Sequence, residues 1–162
     1  MREDLPASIE STSHDLSPEA LVHLFKIELQ SGTTFLLSQH GEQVWRGETY
    51  EDVPCNLVGI GQHSDAKVNR PRFSFANPEG MFTAALYAGD MDNAWITRIR
   101  ILKSDLDADN DFAVRETFQM RRIINISKSV AVVELRDVLD GQNFDLPARR
   151  FMPPEFPHVK LR

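Results

Sequence analysis

Apolar and polar residues alternate along most of this chain, the spacing of β-strands. Between Leu21 and Leu29, Val22, Leu24, Ile27 and Leu29 are separated by His23, Lys26 and Glu28; Phe25 alone breaks the alternation. That pattern predicts a half-buried strand. Ser31-Gly32 turns the chain into Thr33–Leu37, and His40-Gly41-Glu42 turns it again before Val44-Trp45 and an extended piece from Tyr50. Leu57–Gln62 alternates roughly, Pro71–Phe75 puts Phe73 and Phe75 on one face, and in Ala94–Lys103 Ile99 and Ile101 alternate with Arg98 and Arg100. Thr117–Ile126 and Val130–Arg136 complete about seven to nine strands.

Helical spacing is confined to short stretches. Met81, Ala84, Ala85 and Ala88 repeat at helical intervals after the turn Asn77–Gly80, and Gly89 is placed to end the helix. Ser17-Pro18-Glu19-Ala20 offers an N-cap, a first-turn proline and an acid, enough for one helical turn. Residues 1–16 are polar and read as a flexible arm; residues 138–162 lose periodicity, hold four prolines and read as an extended arm. The expected architecture is therefore mainly β: an antiparallel β-sandwich or barrel over residues 17–137, with one or two short helices and extended terminal arms.

Composition narrows the function classes. The chain of 162 residues suits one domain with its own core. No apolar run reaches the ~18–20 residues that would cross a bilayer, and the start Met1–Pro6 does not resemble a signal peptide, so a cytoplasmic site of synthesis is expected. Acids outnumber bases by 24 to 18, for a net charge of −6, which argues against a surface built to grip phosphates. An acidic wall past which DNA slides is compatible with it. Cys55 is the only cysteine, so it can form no internal disulfide and is expected to pack in the interior.

Candidate chemistry is sparse. Asp105, Asp107, Asp109, Asp111 and Glu116 stand at positions 1, 3, 5, 7 and 12 of a calcium-loop spacing. Asn110 occupies the usual glycine position, and strands rather than helices are expected on both sides, so a solvated hairpin loop accounts for the same residues. The histidines at 14, 23, 40, 63 and 158 show no i, i+4 pair, Gly59-x-Gly61 lacks a third glycine, and no phosphate loop, nucleophile elbow or HExxH occurs. No catalytic residue, cofactor or metal is assigned. Arg98, Arg100, Arg121 and Arg122 form either a basic patch or a solvated interface face.

The order of segments resembles the lambda-type minor tail protein L family of long-tailed bacteriophages. Leu21–Leu29 looks like its opening strand, Trp45-Arg46-Gly47-Glu48-Thr49-Tyr50 is similar to its Trp-x-Gly-x-x-Tyr turn, and Arg70–Gly80 resembles its Arg-Pro…Asn-x-x-Gly stretch before a short helix. Ile96–Lys103 and Leu146–Arg150 continue the likeness, which spans roughly residues 20–151. Members commonly continue into a cysteine-bearing domain holding an iron–sulfur cluster; this sequence offers no ligands for one.

The resemblance implies a non-enzymatic virion component of the tail tip (baseplate), assembled in the host cytoplasm. It implies a homo-oligomeric ring, trimeric or hexameric with the trimer favoured. That ring would lie between the distal tail or tail tube protein and the central hub or fibre, lining the channel through which genomic DNA passes, without membrane contact. Closed rings need head-to-tail contacts, and Phe144, Leu146, Phe151, Met152 and Phe156 are the candidates for burial against a neighbouring copy. A small soluble β-barrel that binds a ligand or partner, and a metal-dependent enzyme or calcium module, are the competing readings.

Overall fold

The computed structural model describes residues 6–13, 19–60, 70–80 and 82–138. Within them the alternating stretches become nine strands: β1 (Leu21–Glu28), β2 (Thr34–Ser38), β3 (Gln43–Trp45), β4 (Glu48–Asp52), β5 (Cys55–Val58), β6 (Arg72–Ala76), β7 (Trp95–Leu102), β8 (Ala113–Ile126) and β9 (Val130–Asp137). Helices are short: α1 (Ala7–Ser13), a 3-10 turn (Pro78–Gly80), α2 (Thr83–Ala88) and α3 (Lys103–Asp107). The strands form one sheet in the order β3-β4-β2-β1-β7-β8-β9-β6-β5, antiparallel throughout except where β2 and β4 run parallel.

Chain continuity makes this sheet curl. β4 and β5 lie seven strand steps apart in the sheet order, about 34 Å if the sheet were flat. Only Val53 and Pro54 join them, a link that spans about 11 Å at most. The sheet must therefore bend round until its ends approach, as in a sandwich or a partly open barrel. Backbone bonds fasten the seam: Val53 N donates to Ser38 O at 3.3 Å and Ala76 N to Pro54 O at 2.8 Å.

Two apolar clusters follow from the two faces. The inner face carries Phe25 and Ile27 of β1, Leu37 of β2, Cys55 of β5, Phe73 and Phe75 of β6, Ile96 of β7, Met120 of β8 and Val133 and Leu135 of β9, with Phe82, just before α2, and Leu86 of α2 packed among them. Phe25 and Phe73 meet at 4.9 Å between ring centroids, and Phe82 sets its ring edge-on to Phe75 at 5.1 Å. Each such ring, fully buried, contributes roughly 2–3 kcal/mol. On the outer face a smaller cluster joins Val22, Leu24, Ile99, Ile101 and Ala113 to Trp45 and Tyr50 of the β3–β4 hairpin and Leu106 of α3. The hairpin is thus a flap laid over the barrel wall.

Asn77, fully buried at the end of β6, ties three segments. Its Oδ1 accepts from Phe82 N at 2.9 Å, while Nδ2 donates to Thr83 Oγ1 at 2.9 Å and Ser127 O at 2.8 Å. The start of α2 is thereby fixed against the β8–β9 turn.

Three expectations change. Ala7–Ser13 forms α1, against β7, within the stretch read as a flexible arm. Glu19 and Ala20 are not helical; instead Glu19 accepts from Ser104 N and Ser104 Oγ at the start of α3. The loop after β7 holds a helix rather than a plain hairpin turn, and β8 starts at Ala113, so Glu116 lies inside a strand.

Candidate interaction surfaces

Strand register separates the four arginines that the sequence left as either a basic patch or a solvated interface face. Arg98 lies opposite Phe25 and opposite Glu116, and Arg100 lies opposite His23, so Arg98, Arg100 and Glu116 share the inner face with Phe25. Arg98 Nε donates to Glu116 Oε2 at 2.8 Å, its Nη2 reaches the same oxygen, and Arg100 Nη2 donates to Oε1 at 3.2 Å. The Glu116 side chain is 7% exposed and that of Arg98 12%. Such a buried triad roughly offsets its own desolvation, but it specifies register, because a one-residue slip would move every member to the other face.

His23 borders this layer, with its ring 6.4 Å from that of His40. Burial lowers its pKa below the usual 6.5, and Arg98, Arg100 and His40 lower it further against a weaker opposing pull from Glu116. The imidazole is therefore held neutral. No serine, threonine or cysteine hydroxyl or thiol is hydrogen-bonded to it among the described residues.

The acidic loop acts as a latch for the flap. Asp109 Oδ1 accepts from Arg46 N at 2.6 Å, Asp111 pairs with Arg115 and lies 3.7 Å from Arg46, and Trp45 Nε1 donates to Asn110 O at 3.0 Å. Arg46 and Gly47 both take positive φ (55° and 75°), the two-residue turn that matches hairpin twist. Asp107 pairs with Lys103 at 2.7 Å, Asp105 accepts from Asn110 Nδ2 at 3.1 Å, and Glu116 is held on the inner face. The calcium-spaced carboxylates thus each take a protein partner, Asp109 and Asp111 both meeting Arg46. Among the described residues no group of three or more His, Cys, Asp or Glu could hold a metal ion. Asp105 and Glu116 are buried, unlike the exposed Asp107, Asp109 and Asp111.

A second ionic centre sits on the outer wall. Glu134, 3% exposed, receives Arg121 Nη1 at 2.9 Å on Oε1 and Arg122 Nη2 at 2.9 Å on Oε2, with Arg70 Nη1 3.8 Å away. A bulge after Met120 brings consecutive arginines 121 and 122 onto the same carboxylate. Burial opposes ionisation of Glu134, but the hydrogen bonds from Arg122 and Arg121 and the charges of Arg122 and Arg70 outweigh it and hold the carboxyl below its usual range. Register continues the row outward: Arg122, Glu134, Arg72 and Val58 are successive cross-strand partners on β8, β9, β6 and β5. Glu134 was invisible in the sequence, where it is one more polar residue between Val133 and Leu135.

The fold is shared with a virion protein. The structure is similar to a chain of the virion of a native gene transfer agent (GTA) particle, with a TM-score of 0.66 and 16% sequence identity. The match covers 91% of this chain and 50% of the gene transfer agent chain, so this chain spans about half of that chain's length. No family model matches the sequence, and no curated protein matches it. The likeness establishes the architecture: mainly β, one curled and mostly antiparallel sheet.

The remaining sequence candidates are placed as follows. Cys55 is buried on the inner face and burial, then Asp52, pushes its thiol up to about 12. Gly59 takes a positive φ of 82° just after β5. His14, His63, His158 and Gly61 lie outside the described residues, as do Phe144, Leu146, Phe151, Met152 and Phe156.

Proposed function

We propose that this chain is a non-enzymatic structural component of a phage-type particle, serving in the tail tip. The observation that carries the reading is the fold shared with a gene transfer agent virion chain over 91% of the sequence. The segment order that resembles the minor tail protein L family supports the finer assignment. In that assignment copies form a ring, trimeric by preference, between the distal tail or tube protein and the central hub or fibre, and DNA passes through the lumen.

The physical character of the molecule suits a building block. Its interior is packed with aromatic rings, Phe25, Phe73, Phe75 and Phe82 all being at most 1% exposed. The latched flap and two ionic centres stiffen the wall without presenting a nucleophile. The excess of acids would let DNA slide rather than stick, since phosphates are repelled. Residues 138–162 would add interface on assembly.

Purified particles test the proposal. Mass spectrometry and electron cryomicroscopy should find the chain at the tail tip, and deletion of residues 138–162 should abolish its assembly while far-UV circular dichroism of the β-domain persists. Absence of the chain from intact particles would refute the assignment.

A further inference from the structure

Two oppositely charged patches face different sides of the barrel. The first is the arginine row: Arg70, Arg72, Arg121 and Arg122 surround the single buried carboxylate of Glu134, leaving three positive charges in excess. Glu134 fixes the guanidinium forks in place, so their remaining N–H groups are set outward at little further entropic cost. Exposed Val58, 49% accessible, ends the row.

The second patch is the open end of the β3–β4 hairpin. Gln43 pairs with Tyr50 there, and Glu42 and Glu51 are the next residues along the chain on either side. Asp52 follows, its Oδ1 accepting from Gly41 N at 3.3 Å. Glu42, Glu51 and Asp52 are all exposed, and Val44 beside them is 62% accessible. Successive strand residues alternate in side, so Glu51 shares the face of Val44 and Thr49 while Asp52 turns to the other; Glu42, Glu51 and Val44 make an acidic edge with an apolar residue, complementary to the arginine row with Val58.

Among the described residues no ion pair joins Glu42, Glu51 or Asp52 to Arg70, Arg72, Arg121 or Arg122. We infer that the two patches are the two halves of a head-to-tail contact between copies of this chain, the arginine row of one seating the acidic hairpin end of the next. The inference rests on the assembly reading above and names the surfaces that reading needs, since a repeating contact of this kind joins different patches of identical chains. A nucleic-acid partner fits less well: one of the four guanidinium charges is spent on Glu134, and the chain as a whole carries −6.

Complementation between two full-length variants tests it. Glu42→Lys with Glu51→Lys removes the acidic half at two exposed positions. Arg72→Gln with Arg121→Gln removes the basic half while leaving Arg70 and Arg122 on Glu134. By sedimentation velocity the native chain should self-associate at low salt, less so as salt rises, and each double variant should associate at least about ten-fold more weakly. Mixed together, the two variants should form a 1:1 pair that does not grow, because each supplies the half the other lacks. A mixture that stays monomeric, a native chain that is monomeric at low salt, or variants that associate like the native chain would overturn the contact. So would an arginine variant that loses only binding to a duplex DNA oligonucleotide while self-association is unchanged. If particles contain the chain but these charges do not matter, this contact fails alone; if particles lack the chain, the tail-tip reading fails whatever the complementation shows.

Discussion

Asn77 provides the sharpest test of how the barrel is closed off. In Asn77→Ala three side-chain hydrogen bonds disappear, to Phe82 N, Thr83 Oγ1 and Ser127 O. Each contributes about 1 kcal/mol net, and a buried Phe82 N–H left without its acceptor costs about 1–3 kcal/mol more. The expected loss is about 4 kcal/mol, a large share of the 5–15 kcal/mol typical of a domain. For a chain of this size that lowers the melting temperature by roughly 8–16 °C. Urea unfolding followed by circular dichroism measures it, with the midpoint falling and the slope unchanged. Asn77→Asp sharpens the argument: the acceptor for Phe82 N survives, but a carboxylate now faces Ser127 O. Its folded-state pKa should rise, because only the protonated acid can donate to that carbonyl. This variant should therefore gain stability relative to the native chain as pH falls toward 4. A loss below about 1 kcal/mol in Asn77→Ala, or an Asn77→Asp penalty independent of pH, would refute the three-way tie.

Acid should weaken the native fold in two stages, because both shifted groups bind protons less readily when folded. His23, depressed below 6.5, costs stability as pH falls beneath that value, and Glu134, depressed below 4.5, does so beneath the lower one; His23→Gln should flatten the first stage and Glu134→Gln the second, as read by urea midpoints across pH. Cys55, buried with its thiol pushed up to about 12, should resist alkylation by iodoacetamide at pH 8 and react promptly in urea. Millimolar calcium should leave the melting temperature of the native chain and of Asp107→Ala unchanged, since the loop carboxylates already hold Lys103, Arg46 and Arg115; a clear rise in the native chain alone would reinstate the cation loop.

Alternation along the chain by itself determined the strands. Val22 and Leu24 against His23, or Phe73 and Phe75 against Ser74, state locally which side each residue takes, and Gly89 marks the end of α2 in the same local way. A mainly β fold with one short helix after Asn77 was therefore legible, because backbone period and turn chemistry act over a few residues. Partners and curvature were not. That Arg98 and Arg100 turn inward to Glu116 while Arg121 and Arg122 gather outside on Glu134 depends on register and on a bulge, which only long-range pairing sets. The partners of the acidic loop were hidden for the same reason: Asp107 takes Lys103, Asp109 and Asp111 take Arg46 and Arg115, and Glu116 turns inward to Arg98 and Arg100. Closure of the sheet arose from two residues, Val53 and Pro54, joining strands that belong to distant parts of the sheet order. Local preference chooses the conformation of a segment; which surfaces then meet is decided by the single arrangement that buries every apolar face at once.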